Sequence, residues 1–128
     1  MQVATAKVLK VNLHRPSDDV ALAELIADGV KTIELRGWPQ DYRGPLLIEY
    51  RGKIIAVVRL VDCRPAVPAD LAPAGAQGFG AQILKKLKIA WVLRDARRLA
   101  TVINHSGPSQ FYSLQINESQ CPEYFEMV

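Results

Sequence analysis

Apolar residues fall at every second position through Leu9, Val11 and Leu13. A period of two predicts a strand over residues 7–13 with those side chains on one face. The spacing then lengthens. Pro16-Ser17-Asp18-Asp19 offers a capping serine followed by acids, and Leu22, Leu25 and Ile26 supply a stripe at helical spacing. This predicts a helix over residues 17–28, stopped by Gly29 in a left-handed conformation. Strand spacing returns in residues 30–36 and, after turn-rich residues 37–45, in residues 46–50. Arg51-Gly52 reads as a hairpin turn into residues 53–62, a long β-branched run. Such a run predicts a central strand covered on both faces over most of its length. Residues 64–80 carry Pro65, Pro68, Pro73, Gly75, Gly78 and Gly80. A loop this long is uncommon in a compact domain and is often functional or mobile. A short helix is predicted over 81–88, with Ile83, Leu84 and Leu87 inward, and strands over 89–93 and 110–116. Many short strands with few helices predict an α+β fold built on a small, mostly antiparallel barrel or sandwich, with the first helix packed at one end.

One strand breaks the pattern. Gly29-Val30-Lys31-Thr32-Ile33-Glu34-Leu35-Arg36 places three charges in a short apolar segment. Strand parity puts Lys31, Ile33 and Leu35 on one face and Thr32, Glu34 and Arg36 on the other. A lysine deep in a core carries a heavy desolvation cost, but at a barrel mouth its stem packs and its ammonium enters a cleft. Two readings follow. In one, Glu34 and Arg36 are a solvated pair worth about 0–1 kcal/mol, and Lys31 caps the preceding helix. In the other, a cleft needs all three charges, and Glu34 fixes the two cations.

Composition narrows the classes. A chain of 128 residues predicts a single domain over residues 1–128, large enough to fold without metal or disulfide staples. The formal charge of +3 permits an anionic partner such as nucleic acid without demanding one. Cys63 and Cys121 form no CxxC pair, and His14 and His105 lie far from both in sequence, so no zinc site is expected and reduced thiols are. Lys7 and Lys10 interrupt any leader-like apolar run, and no stretch approaches the roughly 18 apolar residues of a membrane span. A cytoplasmic location and no membrane partner are therefore expected. Ser106 belongs to no evident triad, and no phosphate-binding glycine motif joins a strand to a helix, so no cofactor is expected.

Lys85, Lys86, Lys88, Arg94, Arg97 and Arg98 cluster with Asp95 as the only acid among them. With Phe79 and Trp91 nearby in sequence, this cluster is a candidate track for a phosphate backbone with a base stacked on a ring. Its bland counterpart is a solvated helix face. Trp38 and Tyr42, in the loop after the charged strand, are candidates for stacking on a base. The tail over residues 118–128 has Glu118, Glu123 and Glu126 and no basic residue, which suits it to cover the basic cluster.

The GxKxxExR pattern at Gly29, Lys31, Glu34 and Arg36, followed by "YRGPLLI", resembles the ASCH family of PUA-like domains. The likeness continues through "GKIIAVVRLVDC", "AWVLRDARRL" and "GPSQFYSLQ", and spans residues 7–116. It implies a PUA-like β-barrel flanked by helices, with a cleft beside the motif for RNA or a nucleotide-like ligand. There Lys31 would meet a phosphate or base carbonyl, Glu34 would accept from a base edge or position Lys31, and Arg36 would pair with Glu34 or hold a phosphate. The resemblance also implies an alternative, an enzyme on the same site: a single-strand ribonuclease or a hydrolase of a modified nucleoside such as acetylated cytidine. Lys31 and Glu34 would then be the catalytic pair. Family members acting on acetylated cytidine carry threonine where this chain has Glu34, and Asp70 is the acid nearest to the place of their glutamate. A protein-interaction module built on the basic cluster and acidic tail is the third reading.

Overall fold

The computed structural model describes all of residues 1–128. Six strands, β1 (Val3–Lys10), β2 (Ile33–Arg36), β3 (Gly44–Tyr50), β4 (Lys53–Pro65), β5 (Ile89–Asn104) and β6 (Phe111–Asn117), form one sheet. Two short helices, α1 (Leu22–Ala27) and α2 (Pro122–Met127), complete an α+β fold. The sheet order is β2-β5-β4-β3-β1-β6. β1 runs parallel to β3, and the other pairings are antiparallel. β2 and β6 each have one neighbour, so the sheet is open and the expected closed barrel is not formed. The two ends of the sheet are instead joined by a side chain. Arg36 on β2 bonds the Lys10 carbonyl at the end of β1 (2.6 Å) and the Gln110 side chain just before β6 (3.0 Å).

Both faces of the sheet are covered. Residues Ile54 to Val58 of β4 are all buried, as the unbroken β-branched run requires. Alternation sends Leu9, Leu46, Ile48, Val58 and Leu60 to a core beneath α1. Val8, Leu47 and, across a register shift in β4, both Ile54 and Val57 face a core beneath α2. The β3–β4 turn has φ of 46° at Arg51 and 82° at Gly52. Two successive positive values match the right-handed twist of the flanking strands and make a tight hairpin.

Three expectations require correction. The first helix begins at Leu22, not at residue 17. Asp18 is held by Arg15 (2.9 and 2.6 Å) and accepts from the Val20 amide (3.3 Å), while Arg15 and His14 pair back to Val20 and Ala21. The Ser-Asp-Asp signal is thus used by a turn, because local side-chain bonds compete with the helix for those amides. The arginine-rich stretch 94–98 is strand, not helix face; β5 runs on to Asn104 through bulges, one at Asp95 with φ 58°. The segment after Lys85 is also not helical: Ala81–Lys85 is a short 3-10 turn. Beside these corrections, the acidic tail folds as α2, burying Cys121, Tyr124 and Met127. Glu123 accepts from the Ala100 amide (2.8 Å) and Glu126 pairs with Arg97 (2.7 Å). No helix is long and apolar enough to cross a membrane.

Candidate binding cleft

The cleft lies where the open sheet's ends approach each other. Its placement starts at the end of α1. Gly29 takes φ 75°, its amide bonds the Ile26 carbonyl (3.0 Å), and the Val30 and Lys31 amides bond that of Leu25 (2.9 and 3.0 Å). This is the glycine stop expected from the sequence. Backbone amides therefore cap α1, and the Lys31 ammonium is left free for other partners. The Thr32 and Ile33 amides both reach the Pro73 carbonyl (2.9 and 3.3 Å), which draws the long loop against the start of β2.

Lys31 is only 3% exposed and Glu34 6%. The Lys31 ammonium donates to the carbonyls of Ile33 (2.5 Å) and Ala74 (2.6 Å) and lies 3.1 Å from Glu34 Oε1. Its three protons thus have three acceptors. The other Glu34 oxygen takes Arg36 Nε (2.8 Å) and Nη2 (2.7 Å). Glu34 bridges two cations, and the solvated-pair reading is excluded by its burial. Parity placed Lys31 and Glu34 on opposite faces; they meet because β2 begins at Ile33 and alternation does not extend back to Lys31. Burial draws the Lys31 ammonium below its ordinary value, against the pull of Glu34. Burial alone would raise Glu34, but Lys31 and Arg36 outweigh it and hold the carboxyl below the usual range.

These three residues line a cavity of about 250 Å³. Leu22, Leu35, Phe79, Ile83 and Leu87 give it apolar walls, and Lys10, Asn12 and Gln110 give it a polar rim. The long loop forms one wall and is tied down rather than loose. Asp70, 5% exposed, accepts two bonds from Arg64 (2.8 and 2.9 Å) and one from the Val67 amide (2.9 Å). The Arg64 guanidinium holds the Asp70 carboxyl below its ordinary value. Asp70 anchors the loop and does not face the cavity.

The remaining candidates divide. Trp38 packs edge-on against Trp91 (4.9 Å) and near Phe111 (6.0 Å), and its carbonyl accepts from Trp91 Nε1 (2.9 Å). Tyr42 donates to the Pro45 carbonyl (2.5 Å), and burial pushes its hydroxyl up to about 12. Neither lines the cavity. Lys85, Lys86 and Lys88 are exposed, on the segment whose Ile83 and Leu87 wall the cavity. That segment abuts the end of β2, since a Cβ on Gly37 would stand 3.0 Å from the Lys86 carbonyl. The arginines of the same cluster are elsewhere: Arg97 pairs with Glu126, and Arg98 with Glu24 (3.1 Å) and Asp28 (2.9 Å). Cys63 and Cys121 are free thiols. No group of three or more His, Cys, Asp or Glu side chains converges to hold a metal ion.

Sequence reasoning missed Lys10, Gln110 and Glu49. Glu49 is 1% exposed and accepts from the Tyr112 hydroxyl (2.5 Å) and the Gly107 amide (3.0 Å). Lys10 Nζ, 3.9 Å from Glu49, donates to the Gly107 carbonyl (2.7 Å). This network fixes the loop that ends at Gln110. A lone glutamate in an apolar strand was its only trace in the sequence.

The family model of the ASCH domain matches residues 21–126. Among solved structures, the chain is similar to the ASCH protein of Zymomonas mobilis, with 20% identity and a TM-score of 0.62 over 90% of this chain and 91% of that one. A tyrosine-to-phenylalanine mutant of that protein gives 19% identity and a TM-score of 0.60 over 87% of this chain and 91% of the other. A serine-to-alanine mutant gives 19% and 0.60 over 85% and 87%. Identity this low speaks for the fold alone. No curated protein matches the chain.

Proposed function

The chain belongs to the ASCH domain family, and on that premise we propose that its cleft binds RNA or a nucleotide-like ligand, taking one unpaired nucleotide at a time. The supporting observation is the Lys31–Glu34–Arg36 network opening onto an apolar-walled cavity of about 250 Å³. That volume falls just below the usual ligand sites of about 300–1,000 Å³, and it suits a base with its sugar rather than a duplex. Two cations against one carboxylate leave a positive excess for an anionic ligand. The exposed Lys85, Lys86 and Lys88 flank the cavity, where phosphates of a bound strand would pass.

The test fills the cavity without touching the charges. Ile83→Trp should keep its melting temperature and lose at least about tenfold in affinity for labelled single-stranded RNA, a loss equal to about 1.4 kcal/mol. Wild-type protein that binds no RNA or nucleoside monophosphate, or a variant that binds as well as wild type, overturns the proposal.

A second reading, hydrolysis on the same site, is favoured by one observation. Burial pulls Lys31 toward the neutral amine that a base or nucleophile requires, and Glu34 beside it is placed for proton transfer. Single-stranded RNA and N-acetylated cytidine are the substrates to assay. Turnover in wild type that vanishes in Lys31→Arg, with binding kept, supports it; absence of turnover ends it.

A further inference from the structure

We propose that Gln110 selects the ligand's base, and that the cleft takes keto bases, uracil or guanine, in preference to the amino bases cytosine and adenine. The inference rests on the nucleotide-binding reading above and adds its chemical selectivity.

Gln110 Oε1 lies 3.0 Å from Arg36 Nη1. A guanidinium only donates, so the amide oxygen must face Arg36 and the amide nitrogen must face away. Arg36 cannot turn aside to release it. Its Nε and Nη2 are held by Glu34 (2.8 and 2.7 Å), and Nη2 also bonds the Lys10 carbonyl (2.6 Å). The Gln110 backbone is fixed too, since its carbonyl accepts from the Lys10 amide (2.8 Å). An ordinary glutamine reads donors or acceptors by flipping; Arg36 holds this one with its nitrogen, a double donor, turned away from the guanidinium. Its Nε2 makes no bond within the protein, and the residue is exposed and lines the cavity.

Asn12, which also lines the cavity, repeats the arrangement. Asn12 Oδ1 accepts from the Arg51 amide (3.0 Å), which leaves the Asn12 nitrogen as its free function. The Glu34 carboxylate already accepts from both cations, Oε1 from Lys31 and Oε2 from Arg36. Of the polar groups on these three side chains, the two without any partner are the amide N–H groups of Gln110 and Asn12. Uracil O4 and guanine O6 are acceptors, whereas cytosine N4 and adenine N6 at the corresponding edge are donors, which a donor wall repels.

The experiment measures displacement of a labelled single-stranded RNA by uridine, guanosine, cytidine and adenosine monophosphates, for wild type and Gln110→Glu. The variant keeps an oxygen for Arg36 and replaces the donor with an acceptor. Wild type should prefer the two keto nucleotides by about tenfold, in the range of one base-edge contact, and Gln110→Glu should reverse the order with an unchanged melting temperature. An order that is the same in both proteins overturns the selectivity. So does equal binding of all four with an equal loss in the variant, which would place a phosphate at Gln110. Wild type that binds none of the four, and no RNA, fails at the binding reading instead.

Discussion

Glu34 is the residue on which the other charges of the cleft depend. With Lys31 at 3.1 Å and Arg36 at 2.7 Å, its carboxylate is the counter-charge for two cations with little access to water. Removing one partner from such a group leaves uncompensated buried charge. Glu34→Ala should therefore destabilise the fold by about 3–5 kcal/mol, read in a denaturant melt. Lys31→Ala should also cost stability, because the structure buries the side chain and gives its ammonium three acceptors. The pH dependence follows from the sign of the Glu34 shift. Its folded carboxyl titrates below the unfolded one, so its stabilisation is present above the ordinary value of about 4 and is lost as pH falls through the folded value. The melting temperature should drop across that acid range, and by less in Glu34→Gln. An equal drop in both would move the acid sensitivity to other carboxylates such as Asp70.

At the scale of elements, what the sequence disclosed depended on how local the cause was. The Arg51-Gly52 hairpin and the Gly29 helix stop were both visible, because each is set by the backbone freedom of one or two residues. The first helix was misplaced by several residues, because Asp18 spends its oxygens on Arg15 and a turn. The segment at Gly107 shows the opposite case, a constraint invisible in sequence. A Cβ there would run into the Tyr112 ring, and both the amide and the carbonyl of Gly107 are bonded, to Glu49 and Lys10. Gly107→Ala should destabilise by about 1–3 kcal/mol, the usual cost of overpacking. It should also weaken ligand binding, since the segment carries Gln110. Thermal melts and RNA titrations of the variant read the two effects; an unchanged melt would mean that the segment yields freely.

For the whole molecule, the open sheet decides where the cleft is and which basic residues can serve it. Lys85, Lys86 and Lys88 lie beside the cavity, whereas Arg97 and Arg98 hold α2 and α1 to β5. Changing the three lysines to glutamate should flatten the salt dependence of RNA binding, by about 0.7 in logarithmic slope for each phosphate that is no longer neutralised. Reversing Arg98 should lower the melting temperature and leave that slope alone. An unchanged slope in the lysine variant would return those residues to a solvated surface. The sequence by itself determined the strand-rich α+β class, the buried central strand and the charged strand motif. These follow from side-chain periodicity and turn chemistry, which act over a few neighbouring residues. Only the tertiary structure decided that the sheet stays open, that Lys31 and Glu34 share a site despite their parity, and that Gln110 and Glu49 take part. Those outcomes depend on the meeting of residues as far apart as Arg36 and Gln110, whose approach no local pattern encodes.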